Sequence, residues 1–197
     1  METPNRIVIG ITGASGSIYA HRLVKQLLET KAEIHMVASS AGRQVIQQEI
    51  PQLAGSSEQI FADLPNSDSL HTYNEKDFFA PYCSGSFRFR AMVIVPASMG
   101  TIGAIASGYV YNGIHRAADV TLKEKRSLIV VPRETPLSTI HLKNLSVLAE
   151  AGAVILPPMP AFYNHPKTLD DHIDFVVCRI LDQLGVDNSL SPRWKES

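Results

Sequence analysis

The sequence predicts an α/β fold with a mainly parallel sheet covered on both faces by helices. Near-continuous apolar runs recur along the chain, and amphipathic segments of helical spacing separate them. The first run, Ile7-Val8-Ile9-Gly10-Ile11, passes through Thr12-Gly13-Ala14-Ser15-Gly16 straight into the amphipathic stretch Ile18–Leu28. That strand–turn–helix order sets a helix N-terminus at the carboxyl edge of a parallel sheet.

Taken in order, strands are expected at Arg6–Ile11, Glu33–Ala38, Ala91–Pro96, Ser127–Pro132 and Ala153–Leu156. Helices are expected at Ser15–Thr30, Ala41–Glu49, Thr101–Ser107, Ile114–Lys125, Ser138–Ala151 and Leu169–Leu184. Pro96 and Pro132 each close an apolar run, because proline has no N–H for the ladder and turns the chain out of a sheet. Between Pro51 and Phe79 the chain is rich in Ser, Asp and Asn. It reads as a long surface loop with one short strand near Ser69–Tyr73. Together these give a single domain, 1–197: a Rossmann-like (flavodoxin-like) three-layer sandwich. The tail Val186–Ser197 carries the sole tryptophan, Trp194, which is expected to dock on a neighbouring subunit.

Composition narrows the function. At 197 residues the chain can bury one continuous core. A net charge of -1 leaves no electrostatic footprint for nucleic acid. No apolar run is long enough to span a bilayer, and Met1–Arg6 has no signal-peptide character. The two cysteines, Cys83 and Cys178, match no metal spacing, and the seven histidines form no ligand pattern. The expectation is a metal-free protein of the reducing cytoplasm.

Several turns of this fold suit an anion. Gly10, Gly13 and Gly16 are spaced G-x-x-G-x-x-G, which is not the dinucleotide fingerprint. The second strand ends in Val37-Ala38-Ser39-Ser40, without a ribose-binding acid. A mononucleotide or flavin phosphate therefore fits better than NAD; the alternative is a tight turn without a ligand. Ser39-Ser40 could meet a ribityl chain or phosphate, or simply cap a helix. Ser84-Gly85-Ser86 and Pro96-Ala97-Ser98-Met99-Gly100-Thr101 are further small-residue turns, expected at the same edge as the first. Arg116 and Lys123 lie seven apart on one helix face, with Asp119 placed to bridge to Lys123. They read either as an anion site or as a solvated face. Arg133-Glu134 places a charged pair at the end of a buried strand, where an arginine suits bidentate phosphate contact. Arg179 stands alone in an apolar helical stretch, and either snorkels or pairs with an anion. Glu49, by itself, reads as a surface helix end.

As a set, Thr12–Gly16, Arg116-Ala117-Ala118-Asp119-Val120 with Leu122-Lys123-Glu124, Pro132-Arg133-Glu134-Thr135-Pro136 and Pro157-Pro158-Met159-Pro160-Ala161-Phe162-Tyr163 resemble the flavin prenyltransferase (UbiX-type) family. The likeness runs from about Arg6 to Trp194. It implies a metal-independent transferase that joins the dimethylallyl group of dimethylallyl monophosphate to N5 and C6 of reduced FMN. Phosphate and prenylated FMN are released, the latter as cofactor for a UbiD-type decarboxylase. It also implies a homo-oligomer, a dodecamer built from trimers, with the active site between subunits.

By the same resemblance, Thr12, Gly13, Ala14, Ser15, Ser39, Ser98, Met99, Gly100, Thr101, Arg116 and Arg133 hold FMN. Ser84, Gly85, Lys123, Arg133, Glu134, Tyr163 and Arg179 surround the prenyl phosphate. Ser15, Glu49, Lys123 and Glu134 serve catalysis. Phe78 stands where some relatives carry Trp, and Met99 where some carry a polar residue. Two other readings fit the flavin-binding turns: an FMN-dependent cysteine-type decarboxylase, and a non-catalytic flavin-binding subunit of a decarboxylase complex.

Overall fold

A computed structural model describes residues 4–51, 61 and 64–194. Among them, six strands form one sheet: β1 (Arg6–Ile11), β2 (Glu33–Ala38), β3 (Leu70–Asn74), β4 (Ala91–Ala97), β5 (Ser127–Pro132) and β6 (Val154–Ile155). All neighbours pair in parallel, in the order β3-β2-β1-β4-β5-β6. The helices are α1 (Ser17–Glu29), α2 (Ser40–Glu49), α3 (Met99–Ala106), α4 (Gly113–Lys123), α5 (Thr139–Glu150) and α6 (Leu169–Gln183).

Strand periodicity explains the layers. Ile7, Ile9 and Ile11 of β1, Val93 and Val95 of β4, and Ile129 and Val131 of β5 face one way and pack under α1, α2 and α6. Val8, Met92, Ile94, Leu128 and Val130 face the other way, under α3, α4 and α5. Both sides of each central strand are buried, so the strands read as unbroken apolar runs rather than as alternation. Arg22 of α1 ties that helix to α6 through Asp174 (2.6 Å) and Asp170 (2.9 Å).

One expectation is corrected. Pro96 does not end its strand: β4 runs through it to Ala97, and the register against β5 shifts between Ile94 and Ala97. That irregularity accommodates a residue with no N–H inside a central strand. The long loop expected at Pro51–Phe79 lies outside the described residues at 52–60 and 62–63. Its described part ends in the 3₁₀ turn Ser67–Ser69 and the edge strand β3. In the described part of the tail, Arg193 reaches Asp182 (2.8 Å), and the Trp194 ring, 66% exposed, meets Tyr163 edge-on at 5.1 Å.

Close approach fixes one glycine of the frame. A Cβ on Gly42, in the first turn of α2, would stand 2.7 Å from the Ile11 carbonyl oxygen that closes β1. Gly42→Ala should cost about 1–3 kcal/mol of stability through the forced displacement of α2. That outweighs the ~1 kcal/mol alanine would add as a helix former. A thermal midpoint equal to or above that of the parent would disprove this packing constraint.

Candidate functional site

The strand order reverses between β1 and β4, and their carboxyl ends diverge into the crevice where doubly wound sheets hold ligands. Thr12 joins the two ends. Its hydroxyl donates to the Pro96 carbonyl (2.8 Å) and accepts from the Ser98 N–H (2.7 Å). The residue is 1% exposed, so its side chain supports the crevice from behind rather than meeting a ligand.

Beyond Thr12 the turn delivers α1. The helix has Gly16 at its cap position, with φ 114° in the left-handed region and no side chain of its own to satisfy the first N–H groups. A carboxylate of the chain itself fills that role. The Glu49 carboxylate, at the last residue of α2, accepts from the Gly16 N–H (3.0 Å) and the Ser17 N–H (2.8 Å). Burial works against the charge of Glu49. The Ser15 hydroxyl and the two N–H groups outweigh it and hold the carboxyl below its usual range. The helix end expected to favour a phosphate is therefore occupied by the chain's own carboxylate.

A cavity of about 560 Å³ opens beside this cap. Ser15, Glu49 and Arg133 line it, with Ile50, Pro158 and Leu169 as apolar wall. Arg133 arrives there because it directly follows β5, anchored by its N–H to the Ala97 carbonyl (3.2 Å). Glu134 does not pair with it; its carboxylate turns back onto the Thr135 N–H (2.9 Å). The bland reading of Glu49 as a surface helix end gives way to a cap that faces a cavity.

The other flavin-side candidates gather along the same edge. Ser39 caps α2, accepting from the Gly42 N–H (3.0 Å). Ser98 caps α3 and donates to the Thr101 hydroxyl (3.1 Å). Met99 is buried, so a ligand there meets backbone, and Gly100 has open space where a Cβ would stand. Ala14 is also buried. Gly13 packs against Ala41, where an added Cβ would stand 2.7 Å from the alanine methyl. Arg116 sits in the first turn of α4, its Nε on the Cys83 carbonyl (3.0 Å). Asp119 pairs with this Arg116 (2.8 Å) rather than with Lys123, because i,i+3 lies within reach and Lys123 finds Glu124 instead (2.6 Å).

The remaining candidates do not share that edge, contrary to expectation. Lys123 ends α4 about 10 Å along the helix from Arg116, near the start of β5 at the amino edge. Gly85 lies beside it: a Cβ there would stand 2.8 Å from Lys123 Nζ. The Gly85 carbonyl accepts from Arg126 (2.7 Å), just before β5. Ser84 bonds Ser86 (2.9 Å) in the same turn. Arg179 lies about 15 Å down α6 from Leu169 and pairs with Asp182 (2.7 Å), while Tyr163 holds Trp194. Lys123 and Arg179 are each about half exposed. The turn and sheet-end residues were readable from punctuation in the sequence. Tyr19 and Asp170, which also line the cavity, were missed because they read as ordinary helix residues. Glu75 and Asn112 were missed too, although Asn112-Gly113 before an amphipathic run is a recognisable helix start.

A cavity with a carboxylate and an arginine in its wall, at the carboxyl edge of a doubly wound sheet, is a small-molecule site. The Flavoprotein family model matches residues 1–180. The chain is 46% identical to the flavin prenyltransferase UbiX of Alkalihalophilus pseudofirmus, over 96% of each chain. The crystal structure of AnUbiX (PadA1) in complex with FMN and dimethylallyl pyrophosphate superposes with a TM-score of 0.87 at 39% identity, covering 98% of this chain and 99% of that one. A dodecameric FMN-dependent UbiX-like decarboxylase from Escherichia coli O157:H7 gives 0.88 at 41%, covering 96% and 99%. The peptidyl-cysteine decarboxylase EpiD, at 16% identity and a TM-score of 0.56, shares the fold alone. The chain belongs to the UbiX flavin prenyltransferase family.

The Glu49 cap has a pH signature. Its carboxyl is held below the ordinary glutamate value of 4.5, so the stabilisation is complete above that value and disappears as pH falls through the lower folded one. Glu49→Ala should lower stability at neutral pH by about 1 kcal/mol, a typical capping contribution. It should also flatten the acid limb of the stability–pH curve. Denaturant melts between neutral and acid pH test this; parallel curves for parent and variant would remove the cap from the account.

Proposed function

We propose that the protein is a flavin prenyltransferase that transfers the dimethylallyl group of dimethylallyl monophosphate to reduced FMN. The observation that carries this reading is the Glu49 carboxylate, bonded by Ser15 and set with Arg133 in one cavity at the sheet's carboxyl edge. Relatives over nearly the whole chain bear the same activity in their names. The donor set suits a flavin mononucleotide: hydroxyls at two helix starts, an arginine at a third, and exposed glycine backbone between them.

In this reading Gly13, Ser39, Ser98–Thr101 and Arg116 hold the nucleotide. Reduced FMN supplies the nucleophilic N5 and C6. The prenyl C–O bond breaks with its electron pair leaving on phosphate, so cations belong where that charge grows. Arg133 faces the cavity and contacts both ligands, and Lys123 and Arg179 complete the phosphate grip with Ser84, Gly85, Glu134 and Tyr163. Ser15 and Glu49 exchange protons with the reacting flavin edge, the hydroxyl already donating to a carboxylate kept ionised. The first new bond forms at N5 as phosphate leaves and the N5 proton is lost. The second forms at C6 as the prenyl double bond takes up a proton and C6 gives one up, closing the added ring, and a UbiD-type decarboxylase consumes the product.

One chain separates Lys123 and Arg179 from Arg133, so we infer that neighbouring copies complete the site, in a dodecamer built from trimers. The outer face of α5 supports assembly: Ile140 and Leu142 are more than half exposed. A relative of 41% identity is described as dodecameric. The paired absence of a disulfide and burial of Cys83 and Cys178 suit the cytoplasm.

Anaerobic incubation with reduced FMN and dimethylallyl monophosphate should yield a flavin heavier by one prenyl unit, with stoichiometric phosphate. Unchanged flavin mass would reject the proposal and favour a flavin-binding subunit; oxidative release of CO₂ from a cysteine-terminated peptide would favour the decarboxylase. Lys123→Ala and Arg179→Ala should each raise the KM for the prenyl phosphate about tenfold or more, as loss of a charge-assisted contact predicts, while FMN still binds. Loss of FMN binding with intact prenyl phosphate affinity would overturn the role assignment.

A further inference from the structure

We infer that Glu75 is a positioning residue for the flavin site, acting through Ser39 and Arg116; this rests on the proposed placement of FMN at those two residues. Glu75 directly follows β3 and is 4% exposed. Its Oε1 accepts from the Ser40 N–H (2.8 Å), in the first turn of the helix that Ser39 caps. Its Oε2 accepts from Asn112 Nδ2 (3.4 Å), and the Asn112 Oδ1 in turn caps α4 at the His115 N–H (2.9 Å). The main-chain carbonyl of Glu75 takes the Gly113 N–H (2.6 Å), the first residue of α4. A single residue on an edge strand thereby fixes the starts of two helices, one bearing Ser39 and the other Arg116.

The chemistry requires a carboxylate. All the partners of its two oxygens are donors: an N–H, an amide NH₂ and, at 3.9 Å, the Arg43 guanidinium. Arg43 balances the charge and is itself anchored on the Ala38 carbonyl (2.7 Å), at the end of β2. Glutamine has the same shape but presents an NH₂ to one of those donors, which forces the two helix starts apart. Because Arg43 neutralises the carboxylate locally, Glu75 acts on FMN through geometry rather than through repulsion of its phosphate.

The test is FMN affinity of the full-length protein, read by quenching of flavin fluorescence, together with the KM for dimethylallyl monophosphate. Glu75→Gln should weaken FMN about tenfold, with the prenyl phosphate KM within twofold of the parent. Asn112→Ser keeps a cap for α4 but removes the donor to Glu75, and should weaken FMN in the same direction by a smaller factor. It serves as the second measurement if Glu75→Gln does not fold. Unchanged FMN affinity in either folded variant, or tighter binding in Glu75→Gln as charge repulsion predicts, would overturn the inference. A parent protein that does not bind FMN would instead sink the flavin reading itself.

Discussion

Every parallel sheet of this type presents helix N-termini along its carboxyl edge, and each end demands an anion or a cap. How those demands are met decides what the edge can bind. Here α1, whose cap residue is a glycine, is satisfied by Glu49 from the end of α2. The start of α2 is satisfied by Ser39 and Glu75, and α3 by Ser98. The carboxylate on α1 does two things at once. It closes the helix end where a dinucleotide fold would put a pyrophosphate, and it becomes an ionised group bonded by the Ser15 hydroxyl in a cavity that Arg133 also lines.

That arrangement suits prenyl transfer better than redox chemistry on a cysteine substrate. Departure of phosphate calls for cations near the cleaving bond, the role proposed for Arg133 at the end of β5. In the proposed function protons also move at the flavin edge, a role proposed for Ser15 and Glu49, which are hydrogen-bonded to each other. The remaining cations, Lys123 and Arg179, belong to other surfaces of the chain. We propose that these parts come together when copies assemble, for which the exposed apolar residues of α5 offer a surface.

Much of the fold was legible in the sequence because its signals are local. Apolar runs marked β1, β2, β4 and β5, and Ser39, Ser98 and Ser138 stood at helix starts where hydroxyls cap N–H groups. Pro96 misled, since the rule that proline ends a strand gives way where a register shift removes the need for its N–H. Asp119 misled for a similar reason: two cations compete for it, and only side-chain directions decide between i−3 and i+4. Glu75 escaped notice because it lies in a stretch of weak periodicity, and its partners are 35 and 37 residues away.

The sequence by itself determined the alternation of strands and helices, the turn after β1 and the family resemblance, all of which depend on residues close together in the chain. Only the tertiary structure decided that Glu49 sits on the start of α1, and that Arg133 shares its cavity while Lys123 and Arg179 do not. Those outcomes depend on which loops the parallel order brings to the same edge. Contacts between residues more than thirty positions apart leave no periodic trace in the chain.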